Sequence, residues 1–167
     1  MELNLESFVI LITTVLTGLT AGLCFTWTNA ITPGIGLLDD LGFLQAFQAM
    51  NRAIINPTFV LVFFGPAIGH LIAVYLKRQS LDLTFWLFLA AAVLFIFGVV
   101  FITLFKNVQL NEILDKTDLA AATLEELKAL REKFENPWNR WHLIRTISSL
   151  LSLVLLLFGI LFNNQTS

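Results

Sequence analysis

Four long apolar stretches alternate with short polar ones along the chain, at about 8–30, about 57–75, about 83–105 and about 137–162. Each is long enough to cross a hydrocarbon core of ~30 Å at the ~1.5 Å rise per residue of an α-helix. The connections differ in kind. In the first, Thr32-Pro33-Gly34-Ile35-Gly36 puts a proline and two glycines into five residues, which predicts a helix break. A shorter helix then follows Asp39-Asp40, with Leu44, Phe47, Met50, Ile54 and Ile55 near one side. The second connection holds little more than Gln79, Ser80 and Asp82, so the spans on either side of it are antiparallel neighbours. The third is charged. Thr123 and Glu126 there match a capping box, which predicts a solvated helix over about 123–134. Asn136 and Pro137 then form a second start signal, N-cap followed by first-turn proline, so the fourth span is expected to begin at Pro137. The fold class is all-α: one domain, an integral-membrane four-helix bundle with short interfacial or solvent helices in the first and third connections.

Composition strengthens the membrane reading. The 167 residues are 57% hydrophobic and the mean hydropathy is +0.80, well above an ordinary soluble domain. A net charge of −2 makes no basic surface, so no nucleic acid is expected as a partner. The single cysteine, Cys24, lies inside the first span and reads as a packed small residue. Met1 to Ser7 carries Glu2 and Glu6 and no basic residue, which argues against a signal peptide and for a retained span. That span has threonines at 13, 14, 17, 20, 26 and 28, with Gly18 and Gly22 four apart, a composition suited to close packing inside a bundle. An even number of spans places both termini beside Lys77 and Arg78. Arg52, Lys106, Lys116, Lys128, Arg131, Lys133, Arg140 and Arg145 collect at the other end, which the positive-inside rule makes cytoplasmic. The expected setting is a bacterial plasma membrane with termini outside and membrane lipids as partners; a homo-oligomer or a membrane-protein partner fits equally well.

The same chain direction gathers the candidate chemistry. Asn51, Arg52 and Asn56 precede the second span, Asn107 and Asn111 follow the third, and Trp138, Trp141, His142 and Arg145 open the fourth at i, i+3, i+4 and i+7. Singly, each has a plain explanation as a helix cap, a lipid-phosphate contact or part of an interfacial aromatic belt. Together they form an unusually polar bundle mouth. His142, with an ordinary pKa near ~6.5, is the candidate proton-transfer group. Arg145 and Arg52 are candidates to hold an anionic oxygen, the four asparagines to orient a polar ring substituent, and Trp138 and Trp141 to stack on a flat ring. No metal set is visible. A haem between His70 and His142 is disfavoured, because helix rise sets them ~20 Å and ~8 Å from the same face.

The combination Asn51-Arg52-x-x-x-Asn56-Pro57, Asn107-x-x-x-Asn111 and Trp138-x-x-Trp141-His142-x-x-Arg145-Thr146 resembles the four-span membrane family that includes the anthrone oxygenases, over about Phe8 to Phe162. That resemblance implies oxidation of an anthrone to an anthraquinone by dioxygen without metal or flavin. It makes those nine residues the candidate site and a hydrophobic aromatic small molecule the ligand. The alternative is a non-catalytic accessory subunit, or a lipid- or quinone-binding module, using the same mouth.

Overall fold

The computed structural model describes residues 5–163, so Glu2 and the tail 164–167 lie outside the described residues. It is built of five helices: α1 (Leu5–Ile35), α2 (Asp40–Ile54), α3 (Pro57–Lys77), α4 (Leu83–Asp115) and α5 (Leu124–Asn163). All but α2 are long and apolar enough to cross a membrane. They run up and down in turn, with α1 packed on α3 and α5, and α4 packed on α3 and α5.

Local chemistry starts three of these helices as side-chain caps. Asp39 accepts from the Gly42 amide at 2.8 Å, Asn56 from Phe59 at 2.9 Å and Asp82 from Phe85 at 2.9 Å. The capping box also forms: the Thr123 amide donates to Glu126 at 2.8 Å and the Glu126 amide to Thr123 Oγ1 at 3.3 Å.

That box starts a different helix from the one expected. Instead of a solvated helix ending near 134 and a span beginning at Pro137, α5 is continuous for 40 residues, and Asn136 is an ordinary helical position inside it. A proline in a helix interior costs ~3 kcal/mol. Here continuity buries Leu127, Phe134 and Trp138 on one face against Phe43, Leu44 and Phe47 of α2. Each such side chain contributes roughly 1.5–3 kcal/mol, so packing outweighs the local start signal.

The break expected at residues 32–36 forms at the far end of that stretch: α1 stops at Ile35 with Gly36 as its C-cap, and Pro33 is itself helical. Helix α1 passes through Thr32 and Pro33 to Ile35, its turns widening to π geometry over Trp27–Ile31. The Thr32 hydroxyl donates to the Trp27 carbonyl at 3.1 Å and its amide closes the π turn on the same oxygen. Helix α4 likewise continues to Asp115, well past Phe105, through π turns at Ile96–Phe101 and Thr103–Asn107.

Small residues set the helix separations. A side chain at Gly69 would run into Thr13, one at Gly98 into Ser148 and one at Gly159 into Phe88. The Gly18/Gly22 pair is looser, with nothing within 4 Å of a Cβ at Gly22.

Candidate functional site

The α2 end of the bundle carries a roof. Trp27, Phe43, Leu44, Phe47, Leu114, Leu119, Leu127, Phe134 and Trp138 form one core that ties α2 and the ends of α1 and α4 to α5. Arg131 staples the roof from outside, donating to the carbonyls of Gly36 and Leu38 at 2.8 Å and pairing with Glu135 at 2.7 Å.

Beneath the roof is a cavity of about 270 Å³, near the lower end of the ~300–1,000 Å³ usual for small-molecule sites. Leu23, Ile54, Ile55 and Phe59 supply apolar wall. Seven of the nine residues singled out from sequence also line it: Asn51, Arg52, Asn107, Asn111, Trp138, His142 and Arg145. Two π segments contribute to the lining, through Trp27 in α1 and through Thr103 and Asn107 in α4. Such turns shift the register of the side chains that follow them, which is why they recur at functional sites.

Asn56 and Trp141 stand apart from that lining. The Asn56 side chain is spent on the α3 cap and on the carbonyls of Ala53 and Ile54. At 100° per residue His142 and Arg145 fall within ~40° of Trp138, whereas Trp141 is ~60° away. It turns toward α4, where the Lys106 ammonium lies 5.1 Å from its ring centroid. Arg52 is at the rim, its side chain 62% exposed, with Nε 2.6 Å from Asp115 Oδ1.

The interior groups are held from one side and bare on the other. His142 Nε2 lies 3.0 Å from the Cys24 carbonyl, which can only accept, so the neutral ring carries its proton on Nε2 and Nδ1 is left as a lone pair. Trp138 stacks on that ring with centroids 4.7 Å apart and planes at 14°. Asn107 donates Nδ2 to the Trp138 carbonyl at 3.2 Å, which fixes its amide and leaves Oδ1 as the bare acceptor. Arg145 is 6% exposed, forms no ion pair with a carboxylate among the described residues, and has its Cζ 5.5 Å from the Phe63 ring centroid. Of the five buried side-chain polar atoms without a hydrogen-bond partner among the described residues, four belong to this lining: Asn51 Nδ2, Asn107 Oδ1, His142 Nδ1 and Arg145 Nε. Each such group costs ~1–3 kcal/mol when left unpaired in a dry interior, more where charged. A molecule that has both donors and acceptors recovers that cost.

Sequence reasoning missed Trp27 and Asp115. Asp115 was legible, since Asn107, Asn111 and Asp115 repeat at four residues on one helix face. Trp27 carried no such signal, because the π turn that places it is not written in residue spacing.

Four long apolar helices, with a largely apolar cavity at one end that carries a few polar side chains, make this a multi-pass integral membrane protein with a small-molecule-sized site. The anthrone oxygenase family model matches residues 58–155, and the chain belongs to that family. The match is narrower than the resemblance over about Phe8 to Phe162: it takes in Asn107, Asn111, Trp138, Trp141, His142 and Arg145 and leaves out Asn51, Arg52 and Asn56. No curated protein and no solved structure matches the chain.

Proposed function

We propose that the protein is a membrane-embedded oxygenase of a planar phenolic or quinol-like lipophile, with anthrone as the reference substrate. The observation that carries this reading is the pairing, on successive turns of α5, of a bare imidazole nitrogen with a buried guanidinium that has no carboxylate partner among the described residues. His142 Nδ1 removes a proton from the activated methylene, and the charge delocalises onto the ring oxygen, which Arg145 holds. The anion is electron-rich enough to reduce dioxygen directly. Carbon–oxygen bond formation gives a hydroperoxide, whose distal oxygen leaves as water as the carbonyl forms. Over the cycle the CH2 carbon loses two hydrogens and gains one oxygen, while the second oxygen departs with those hydrogens. Asn51 and Asn107 orient the ring substituents, Trp138 forms a flat wall, and Arg52, paired with Asp115, stands at the mouth. The lipophile reaches the mouth through the surrounding bilayer. By its basic residues that end faces the cytoplasm, with the termini outside.

The test is oxygen uptake with anthrone by the purified protein in lipid nanodiscs. Wild type is expected to produce anthraquinone, with His142→Ala slower by ~10²–10⁴-fold. Equal rates in a folded His142→Ala protein would remove the reading. Tight anthrone binding with no turnover by wild type would leave a binding module in its place.

A further inference from the structure

Asn111 does not meet the cavity as the other asparagines do. Its Oδ1 is taken by the Trp138 indole N–H at 2.8 Å, although Asn111 itself is only part-buried and Trp138 is 4% exposed. On its other sides the Trp138 indole packs on apolar rings: Trp27 at 5.5 Å, and Phe47 edge-on at 4.7 Å and 78°. In such a slot an indole has two flat orientations of similar packing. The hydrogen bond selects one, because the other leaves a buried N–H unpaired at ~1–3 kcal/mol. On its far face the selected indole lies parallel to His142. A half-turn of the imidazole about Cβ–Cγ would exchange Nδ1 with Cδ2 and Nε2 with Cε1, taking Nε2–H off the Cys24 carbonyl that fixes the tautomer. That turn passes through an edge-on pose which a parallel ring 4.7 Å away obstructs.

The geometry points to Asn111 and Trp138 as positioning residues, a strut from α4 that keeps the His142 ring in the one orientation with Nε2 on the Cys24 carbonyl and Nδ1 free. Its catalytic consequence rests on the reading of His142 as the base; the ring orientation itself does not. Asn111 thus acts through Trp138, and its loss falls on the rate constant, with little effect on binding.

Two measurements on the full chain in nanodiscs test this. The first is anthrone kinetics. Asn111→Leu is expected to lower kcat roughly ten- to a hundred-fold, the scale of a small misplacement of a catalytic group, with KM nearly unchanged. Asn111→Asp keeps an acceptor oxygen and is expected to recover most of the rate. A rise in KM at unchanged kcat would mean direct substrate contact and overturn the strut. The second is the 15N spectrum of histidine-labelled protein. The chain has two histidines, so His70→Gln assigns both rings. Wild-type His142 should show a protonated Nε2 and a bare Nδ1, and Asn111→Leu an exchange-averaged mixture. Unchanged His142 nitrogens in Asn111→Leu would overturn the proposal whether or not anthrone is turned over. Wild type inactive on anthrone with a shifted Asn111→Leu spectrum would remove the oxygenase reading and keep the strut. Trp138→Phe, which retains a ring but no donor, should behave as Asn111→Leu does and decides the matter if that variant fails to fold.

Discussion

The chain's two histidines are both buried inside a membrane bundle, and their hydrogen bonds look alike. His142 gives Nε2–H to the Cys24 carbonyl. His70 Nε2 lies 3.3 Å from Ser152 Oγ and 3.4 Å from Thr17 Oγ1. Ser152 donates its only proton to the Ala91 carbonyl at 2.8 Å and so can only accept from the ring, whereas the Thr17 hydroxyl can donate or accept. Each has a buried Nδ1 with no hydrogen-bond partner among the described residues. What differs is the company. Around His142 are three further unpartnered polar atoms, one of them on a guanidinium, and an open volume. His70 is not part of that lining; it packs on Phe95 at 5.2 Å, in a layer to which α1, α4 and α5 each bring a hydroxyl or carbonyl. A bare nitrogen is weak evidence of a site by itself. Several on residues that line one cavity are strong evidence.

The largest effect that separates the two regions should come from Arg145→Met. If Arg145 holds a developing oxyanion, kcat for anthrone falls by ~10²–10³-fold. Stability should stay level or rise, since replacing a buried charge by an apolar chain of similar length removes a desolvation penalty. Activity is read by oxygen uptake and stability by unfolding in mixed micelles. A variant that loses stability while keeping its rate would make Arg145 a structural element.

His70→Leu should give the opposite signature. Thr17 loses its interhelical partner, so unfolding should become easier by ~1–3 kcal/mol. The anthrone rate of the folded fraction should change by less than about three-fold, which corresponds to well under the 1.36 kcal/mol of a tenfold effect. A large rate loss in folded His70→Leu would extend the site into the middle of the bundle.

These two regions were unequally legible in the sequence. Span number and direction sufficed to bring Asn51, Asn107, Asn111, Trp138, His142 and Arg145 to one end, because helix direction is a long-range constraint that hydropathy alone supplies. Local signals did worse. Asn136-Pro137 reads as a helix start, yet α5 continues through it, whereas Pro33 with its glycines reads as a helix end and α1 does end there, at Ile35. At Pro137 the deciding term is burial against residues far along the chain, Phe43 and Phe47 beneath Phe134 and Trp138, which residue spacing cannot show. The role of Asn111 was hidden for a related reason. Its spacing from Asn107 gives the face, but its indole partner lies 27 residues away on another helix.

Arg52 provides the smallest effect and the finest discrimination between mouth and interior. Both arginines belong to the cavity lining, but the Arg52 side chain is 62% exposed and paired with a 49%-exposed Asp115, whereas Arg145 is buried and has no carboxylate partner among the described residues. In high dielectric, a pair between mobile exposed side chains contributes ~0–1 kcal/mol, because solvent screening and lost side-chain freedom offset most of the attraction. A double-mutant cycle with Arg52→Gln and Asp115→Asn should return a coupling within that range, shrinking further as salt is raised. A coupling of several kcal/mol that ignored salt would mean that the pair is desolvated, and hence that the mouth is closed over by lipid or protein. The contrast between an open rim and a dry interior would then fail at the rim, while the argument for Arg145 would stand.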